Sequence, residues 1–416
     1  MEKFVINGGK RLSGTVKIES AKNSVLPLMA GAILTKDEVI IKNCPKIHDV
    51  LSMAKILRSL GVKVKFEEDN LVIKADDLSG YTVCQALGRE LRASVVMMGA
   101  LVSRLKKARL YYPGGCDIGL RPINMHLGAL KSLGVSISET CGEIFCYTDR
   151  VKGREVYLDF PSVGATENAM LTAVLADGKT EIHNPAKEPE IVDLMKFLNS
   201  MGAKIYGAGT SLILVEGVKK LHGTEFTPSF DRIEAGTYLI SAAITGGEVK
   251  ITNCNVKNIS SLVHKLCNNT CKISVKDDII YLKSGRGRKS FSFSTGPYPS
   301  FPTDLQPQTM ALACVSEGVS VIEENVFETR FKHVPELIKM GANITVKGRT
   351  AIVTGVPTLS GAEVYANDLR AGAALVLAGL CAEGTTVIGG IPFIERGYLD
   401  FDKKLRQLGA DVKRQG

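Results

Sequence analysis

The chain has 416 residues, a length that suits two domains of about 200 residues each better than one core. Hydrophobic residues make up 45% and charged residues 23%, which excludes a disordered or fibrous protein. The net charge of +9 favours anionic ligands such as phosphorylated metabolites, and without a long basic run or interleaved aromatic residues it argues against nucleic acid.

The ten cysteines and six histidines do not form a metal-binding pattern. There is no CxxC pair and no HxxxH spacing, so no metal site is expected. The longest apolar runs, near 93–102 and 371–382, are shorter than the roughly 20 residues that cross a bilayer. The N-terminal residues show no signal-peptide pattern. We therefore expect a cytoplasmic protein that does not bind a membrane.

In chain order, the first predicted helix begins at Lys22-Asn23 and a strand follows at 37–43. The next helix has apolar residues at helical spacing from 50 to 60 and is expected to end at Gly61 in a left-handed cap, before a strand at 62–64. This helix–glycine–strand pattern recurs at 130–137, 198–205, 337–344 and 405–412, and in a copy at 266–273 where Thr270 replaces the glycine.

Two further features recur with the same period of about 70 residues. Short strands after an apolar helix are predicted at 177–184, 246–253, 317–325 and 383–389. Helices with a polar start are predicted to begin near 22, 92, 166, 232, 304 and 370. The periodicity predicts six repeats of strand, helix, strand, helix, strand, strand, three to a domain. Helix N-termini that point the same way attract anions, which suggests a cleft for phosphates and carboxylates.

Nine segments, in this order and spacing, carry a resemblance to a known family. They are 21–27 (AKNSVLP), 113–122 (PGGCDIGLRP), 162–166 (SVGAT), 188–193 (EPEIVD), 231–237 (DRIEAGT), 301–304 (FPTD), 327–331 (FETRF), 368–371 (DLRA) and 396–398 (RGY). From Phe4 to Val412 the sequence resembles the UDP-N-acetylglucosamine 1-carboxyvinyltransferases, enolpyruvyl transferases of the EPSP synthase-like family that start peptidoglycan synthesis.

The resemblance implies an α/β fold of two inverse α/β barrel domains, each of three pseudo-symmetric βαβαββ units, with the active site in the interdomain cleft. It implies an N-terminal domain at 22–229 that carries a mobile cysteine loop at about 112–122. Residues 1–21 join 230–416 in the C-terminal domain. The family is usually monomeric, and no metal or organic cofactor is implied.

The implied reaction transfers the enolpyruvyl group of phosphoenolpyruvate to the 3-hydroxyl of UDP-N-acetylglucosamine by addition and elimination, and releases phosphate. The resemblance gives phosphoenolpyruvate contacts to Lys22, Asn23, Arg121 and Arg396. It gives nucleotide-sugar contacts to Asn23, Arg92, Arg121, Pro122, Ile123, Asn124, Met125, Ser162, Val163, Gly164, Asp304 and Val326. It gives supporting roles to His126, Arg330, Asp368 and Arg370. Arginine suits these substrates because its fork donates two hydrogen bonds to a carboxylate or phosphate.

The resemblance makes Cys116, Asp304, Lys22 and Arg396 catalytic. Cys116 matches a loop cysteine that donates a proton to the methylene carbon and is alkylated by fosfomycin, so sensitivity to this antibiotic is implied. The other nine cysteines are expected to be buried and inert. Asp304 matches the acid near the sugar hydroxyl, as general base or as a member of a proton relay. A carboxylate among arginines should have a lowered pKa.

The sequence departs from the family pattern at Ser20, Asn124 and Thr329, where the family usually has Gly, Asp and Asn. Two alternatives remain open at this point. The chain could be the sister enzyme that transfers to shikimate 3-phosphate, or a non-catalytic paralogue that binds nucleotide sugar. The Gly-Gly-Cys loop argues against the first, and the presence of Cys116, Asp304 and Lys22 argues against the second.

Overall fold

The computed structural model describes residues 2–114, 118–119, 122–285 and 287–416. Its strands are β1 (Lys3–Asn7), β2 (Ser13–Lys17), β3 (Glu38–Ile41), β4 (Lys63–Glu67), β5 (Asn70–Lys74), β6 (Lys107–Tyr111), β7 (Ser136–Thr140), β8 (Glu143–Tyr147), β9 (Glu155–Tyr157), β10 (Lys179–His183), β11 (Lys204–Tyr206), β12 (Leu212–Glu216), β13 (Thr224–Phe226), β14 (Glu248–Thr252), β15 (Lys272–Lys276), β16 (Ile279–Lys283), β17 (Phe293–Ser294), β18 (Val319–Glu323), β19 (Asn343–Lys347), β20 (Thr350–Thr354), β21 (Glu363–Tyr365), β22 (Thr385–Gly389) and β23 (Asp411–Gln415).

The helices alternate with these strands. They are α1 (Lys22–Ala32), α2 (His48–Ser59), α3 (Gln85–Glu90), α4 (Met97–Leu105), α5 (Asn124–Ser132), α6 (Val163–Ala173), α7 (Pro189–Ser200), α8 (Arg232–Thr245), α9 (Ser260–Asn268), α10 (Gln306–Cys314), α11 (Val334–Lys339), α12 (Leu369–Cys381), α13 (Ile391–Glu395) and α14 (Phe401–Gln407). Short 3-10 turns lie at Arg92–Val96, Val256–Ile259, Thr303–Leu305 and Arg330–His333. None of the helices in the described part of the chain is long and apolar enough to span a membrane.

The six predicted repeats are confirmed, since the described residues form six separate sheets. Five have four strands, in the orders β2-β14-β16-β15, β9-β10-β12-β11, β13-β3-β5-β4, β17-β18-β20-β19 and β21-β22-β1-β23; the sixth is β6-β8-β7. In each four-stranded sheet the first pair is parallel and the others are antiparallel. In three of these sheets a helix joins the two parallel strands, namely α6 between β9 and β10, α10 between β17 and β18, and α12 between β21 and β22. The repeats are thus βαβαββ units.

The predicted left-handed helix ends are also confirmed. Gly61, Gly134, Gly202, Gly341 and Gly409 all have φ between 84° and 95°. Thr270 takes the same role at φ 81° although it is β-branched. Glycine adopts this backbone region without steric cost, whereas a β-branched residue is strained there. The fold therefore keeps the cap in the fourth repeat even though its sequence has lost the glycine.

The predicted starts of three helices were wrong in detail. The segments that begin at Arg92 and Thr303 are 3-10 turns that pass into α4 and α10 only at Met97 and Gln306. Helix α6 begins at Val163, three residues before the predicted Thr166, because Ser162 caps it by accepting a hydrogen bond from the backbone N–H of Ala165 at 3.4 Å. The polar residues 166–168 are instead buried inside the helix.

The chain folds into two compact units. The N-terminal unit comprises 20–114 and 122–229, and the C-terminal unit comprises 2–19, 118–119 and 230–416. The first unit therefore begins at Ser20, and the second resumes at Phe230. The short strands β1 and β2 belong to the C-terminal unit because they pair with β22, β23 and β14.

Apolar helices form the centre of each unit. In the C-terminal unit α8, α10 and α12 pack on one another, and almost every residue of α12 is buried. A helix that is apolar on all sides belongs in a core. In the N-terminal unit α4 contacts both α1 and α6. Gly99 allows the close approach of α4 and α6, since a Cβ there would lie 2.6 Å from the carbonyl oxygen of Asn168.

Candidate active site

The N-terminal unit places Lys22 at the first residue of α1. The Lys22 side chain is mostly buried, and its Nζ lies 3.1 Å from Oδ2 of the buried Asp49 in the first turn of α2. This ion pair fixes a cation at a helix N-terminus, where an anion is already favoured by the helix dipole. Sequence reasoning missed Asp49, because an acidic residue in the first turn of a helix is common for reasons of helix stability alone.

A second helix N-terminus in this unit carries 162–164. A Cβ on Gly164 would lie 2.6 Å from Cε1 of His126, so only glycine allows the imidazole to lie against the start of α6. Asn168 Oδ1 accepts the backbone N–H of Gly99 at 2.7 Å, and its Nδ2 donates to Val95 O at 3.1 Å. The second Nδ2 proton therefore points at His126 Nδ1, 2.8 Å away. Nδ1 must be an acceptor, which makes His126 a neutral imidazole with its proton on Nε2.

The other predicted residues of this unit lie at the starts of helical segments or just before them. Asn23 is the second residue of α1, and Arg92 begins the 3-10 turn that contacts both α1 and α6. Asn124 begins α5, with Met125 next to it, and Pro122 and Ile123 precede it. The 3-10 turn at 92–96 thus lies next to both α1 and α6. Cys116 and Arg121 lie outside the described residues.

In the C-terminal unit Asp304 is bound by two buried arginines. Its Oδ1 lies 2.9 Å from Arg330 Nη2 and its Oδ2 lies 3.1 Å from Arg370 Nη2. The arginine side chains are only 2% and 4% exposed, whereas the aspartate side chain is 30% exposed. Burial alone would lower the pKa of Arg370, but the Asp304 carboxylate raises it above its usual range, so the guanidinium stays charged. The Asp304 carboxylate is therefore partly accessible, and the buried guanidinium groups of Arg330 and Arg370 hold it in place.

Asp368 organises the same region from the start of α12. Its Oδ1 accepts the backbone N–H groups of Arg370 and Ala371 at 2.8 and 3.0 Å, and Arg330 Nη1 lies 4.0 Å from it. Next to this pair, burial lowers the pKa of His333 to about 4, so this histidine is neutral at pH 7. Asp368 therefore orients both arginines of Asp304, one through the helix cap and one by charge.

The segment that carries Val326 is held by a buried acid that sequence reasoning did not single out. Glu324 Oε1 accepts the backbone N–H groups of Val326 and Phe327 at 2.9 and 3.0 Å. Its Oε2 accepts the hydroxyl of Thr303 at 3.0 Å. One fully buried carboxylate thus ties the Val326 segment to the turn that presents Asp304. Its position directly after a predicted strand was the only signal available in the sequence.

Arg396 follows the short helix α13 and is half-buried. Two residues later, Tyr398 is 1% exposed and stacks on Phe401 with ring centroids 4.6 Å apart. Thr329 precedes the turn that carries Arg330, and its backbone N–H donates to Ile118 O at 3.2 Å within the C-terminal unit. Thr329 is one of the positions that depart from the family pattern. Its contact with Ile118 is made by the backbone, so it does not depend on which side chain stands there.

The expectation that all other cysteines are buried was wrong for four of them, three of which are exposed. Cys84, Cys141 and Cys267 are exposed and Cys381 is intermediate, whereas Cys44, Cys146, Cys254, Cys271 and Cys314 are buried. Burial raises the pKa of Cys44, Cys146, Cys254, Cys314 and Cys381 to about 12, which leaves those thiols protonated and unreactive. The exposed thiols serve below as internal controls for alkylation.

Comparison with known proteins agrees with the fold and with the family that the sequence resembles. A family model described as EPSP synthase (3-phosphoshikimate 1-carboxyvinyltransferase) matches residues 6–405. The chain is 51% identical over 415 residues to UDP-N-acetylglucosamine 1-carboxyvinyltransferase 2 of Caldanaerobacter subterraneus subsp. tengcongensis, and 46% identical over 416 residues to the protein of the same name from Clostridium tetani. Both alignments cover 100% of each chain.

Solved structures show the same architecture. The enolpyruvyl transferase NikO from Streptomyces tendae superposes with a TM-score of 0.91 at 26% identity, covering 100% of this chain and 99% of that one. EPSP synthase from Acinetobacter baumannii superposes over 100% of both chains with a TM-score of 0.78 at 18% identity, which shows the fold alone. The chain therefore belongs to the EPSP synthase family and, within it, to the UDP-N-acetylglucosamine 1-carboxyvinyltransferases.

Proposed function

We propose that this chain transfers the enolpyruvyl group of phosphoenolpyruvate to the 3-hydroxyl of UDP-N-acetylglucosamine and releases phosphate, the first committed step of peptidoglycan synthesis. The observation that carries the proposal is 51% identity along its full length to a protein of that name. We propose that it acts as a cytoplasmic monomer without a metal or organic cofactor.

In the proposed mechanism, cationic side chains neutralise the two anionic substrates. Lys22, Arg121 and Arg396 bind phosphoenolpyruvate, with Asn23 beside it. The N–H groups at 162–164 and the Arg92 guanidinium bind the diphosphate of the nucleotide sugar, with 122–125 and Val326 along the nucleotide. The ion pair of Lys22 with Asp49 supports this assignment, because it fixes one cation in place before the substrates arrive.

The proposed chemistry has two balanced steps. In the addition, the sugar oxygen forms a bond to the central carbon of phosphoenolpyruvate, its proton passes to Asp304 or a relay that includes it, and Cys116 gives a proton to the methylene carbon. In the elimination, the methyl group returns a proton to the Cys116 thiolate and its C–H electron pair forms the new carbon–carbon double bond. The bond between carbon and phosphate oxygen breaks with its electrons on the phosphate, which leaves with the proton that Asp304 or its relay had taken. The buried arginines on Asp304 favour its ionised form, which supports a positioning or relay role over that of a strong base.

The alternatives have less support. Transfer to shikimate 3-phosphate is the activity that the family model's description prints, but the EPSP synthase structure is 18% identical to this chain, against 51% for the nucleotide-sugar enzyme. A non-catalytic paralogue would not need to retain Lys22, Cys116 and Asp304 together.

The test is phosphate release from phosphoenolpyruvate with each acceptor, before and after fosfomycin. We expect release with UDP-N-acetylglucosamine alone, abolished by the drug and by Cys116→Ala. Cys84→Ala is the matched control, since that exposed cysteine should be dispensable. Mass spectrometry should find the drug on Cys116 and leave Cys84, Cys141 and Cys267 unmodified. Release with shikimate 3-phosphate, or binding of the nucleotide sugar without release, would contradict the proposal.

A further inference from the structure

One segment of the C-terminal unit is bonded at both of its ends to the residue before Asp304. At its start, Oε2 of the buried Glu324 accepts a hydrogen bond from the Thr303 hydroxyl at 3.0 Å. At its end, Arg330 Nη2 donates to the carbonyl oxygen of Thr303 at 3.2 Å and to Asp304 Oδ1 at 2.9 Å. We call 324–330 the clamp segment. It holds Thr303 at two points, one on the side chain and one on the backbone.

Glu324 joins two separate parts of the chain through one rigid group. Its Oε1 accepts the backbone N–H groups of Val326 and Phe327 at 2.9 and 3.0 Å, whereas its Oε2 accepts the Thr303 hydroxyl. The side chain is fully buried, and a buried acceptor that loses its donor is costly. A shift of the Val326 backbone should therefore move the carboxylate, and with it the Thr303 hydroxyl.

The clamp segment also has contacts that do not reach the turn at Asp304. Oγ1 of the buried Thr295 accepts the backbone N–H of Asn325 at 3.0 Å. Arg349 Nη1 donates to Asn325 O at 3.1 Å. These contacts hold the segment itself, whereas the Thr303 hydroxyl joins the segment to the turn. Two threonine hydroxyls thus act on adjacent residues of the segment, and only one of them also acts on the turn.

We infer that Glu324 is a positioning residue, which acts through the Thr303 hydroxyl and couples the nucleotide at Val326 to the direction of Asp304. The inference rests on the proposed function, in which Val326 lies along the nucleotide and Asp304 lies at the reacting hydroxyl. A turn that Arg330 holds at the carbonyl alone can pivot, whereas a turn that is also held at its side chain cannot. Small errors in the placement of a reacting group cost large factors in rate. The second tether should therefore act on kcat more than on substrate binding.

The test compares Thr303→Val with Thr303→Ser, which keeps the hydroxyl, and with Thr295→Val as the matched control. Valine has the shape of threonine without the hydroxyl, and the bonds of Glu324 to Val326 and Phe327 should remain in every variant. We expect Thr303→Val to lower kcat for phosphate release about tenfold and to keep KM for UDP-N-acetylglucosamine within about twofold of the wild type. The other two variants should keep kcat within about twofold. No loss of kcat in Thr303→Val, or an equal loss in either of the others, overturns the positioning role.

A second readout does not depend on turnover. UDP lacks the sugar that Asp304 would contact, so in the proposed mechanism UDP alone reaches 303–306 only through the clamp segment. On addition of UDP, hydrogen exchange measured by mass spectrometry should slow at 324–328 in the wild type and all three variants, and at 303–306 in all of them except Thr303→Val.

The two readouts separate this inference from the proposed function. If exchange at 303–306 slows in Thr303→Val as well, or in none of the proteins, the coupling is refuted, while phosphate release by the wild type still supports the proposed function. A wild-type chain that shows the expected exchange pattern but releases no phosphate refutes the proposed function instead, and leaves Glu324 coupling the two segments without that chemistry.

Discussion

One buried carboxyl group outside the candidate active site titrates near neutral pH. Glu234 on α8 is 2% exposed, its Oε1 accepts Lys404 Nζ at 2.8 Å, and its Oε2 accepts the backbone N–H of Glu19 at 2.9 Å. Burial raises the pKa of Glu234 to about 7, and the lysine offsets only part of this effect. Glu234 therefore changes its charge at a pH close to neutral.

This titration makes the free energy of unfolding depend on pH. The folded-state pKa of Glu234, about 7, lies above the ordinary value of 4.5, so the folded protein binds this proton more tightly than the unfolded chain. The contribution of the protonated carboxyl to the free energy of unfolding is therefore fully present below pH 4.5 and is lost as the pH rises through about 7. Glu234→Gln removes the titration. The free energy of unfolding of the wild type minus that of the variant should fall by up to about 1.4 kcal/mol per pH unit in this window.

Urea denaturation of both proteins at several pH values measures the difference. The difference is the appropriate quantity because His333 acts in the opposite direction. Its pKa is lowered to about 4 by burial, so its contribution is present above the ordinary value of 6.5 and is lost as the pH falls through about 4. That contribution is the same in both proteins and cancels. A difference that stays constant from pH 5 to pH 8, a range of about three units, would contradict the assignment.

The end of helix α9 carries backbone strain. Helix α9 ends before Thr270, whose φ of 81° is unfavourable for a β-branched residue, although its hydroxyl donates to Gly287 O at 3.0 Å. We expect Thr270→Gly to raise the free energy of unfolding by about 1 kcal/mol, because relief of strain of about 1–3 kcal/mol exceeds the loss of one exposed hydrogen bond. Chemical denaturation at one pH measures this gain.

The neighbouring repeat provides the reverse substitution. Gly341 ends α11 with φ 89°, and a Cβ there would have no atom within 4 Å. Gly341→Thr should therefore lower stability through backbone strain alone, by about the amount that Thr270→Gly gains. If neither substitution changes the free energy of unfolding, a β-branched residue is not strained at these left-handed caps, which would contradict the strain assigned to Thr270.

The ends of the helices can be predicted from the sequence, whereas some of their starts cannot. The glycine caps and the apolar spacing are local features, so the helix ends and the strands after them follow from the sequence. The starts at Arg92 and Asp304 do not, because a 3-10 turn and an α-helix share the same polar-then-apolar pattern.

The candidate site shows the same division between local and distant causes. Lys22, Asp304 and Arg370 stand in motifs and could be singled out from the sequence. Asp49 and Glu324 could not, because their roles arise from contacts with residues 27 and 21 positions away. Tyr398 stands in a motif, yet its partners Gln308 and Thr237 come from separate helices that only folding brings together.

At the scale of the whole molecule, the order of the repeats differs from the order of the chain. Strand β13, at 224–226, completes the sheet of the first repeat, which otherwise comes from 22–74. Strands β1 and β2 complete the sheets of the sixth and fourth repeats. In the sheet of the sixth repeat β1 lies between β22 and β23, so its loss would leave β23 without a neighbouring strand. Period alone does not reveal such exchanges, because each strand is too short to carry a repeat signature.

The pairing of β1 with β23 predicts that the protein tolerates a new connection. Lys3 lies opposite Gln415, and Arg414 Nη1 lies 2.9 Å from Glu2 Oε2. A short Gly-containing loop should close this pair, as Cys141-Gly142 closes β7 and β8. A variant joined in this way and reopened between Cys141 and Gly142 should keep the melting temperature and phosphate release of the parent. A reopening within buried α12 is the control, and it should abolish folding.

Because β1 pairs with β23, the first and last strands are neighbours, and in topological terms the backbone is almost circular. Four of the other five repeats end in a tight antiparallel hairpin, and in the sixth the same two strands are adjacent but are separated by nearly the entire sequence. Once the gap is bridged no residue is intrinsically first, and each exposed hairpin becomes an equivalent place to start translation. The order of folding during synthesis is then a variable that can be set by circular permutation, with every contact of the native state unchanged.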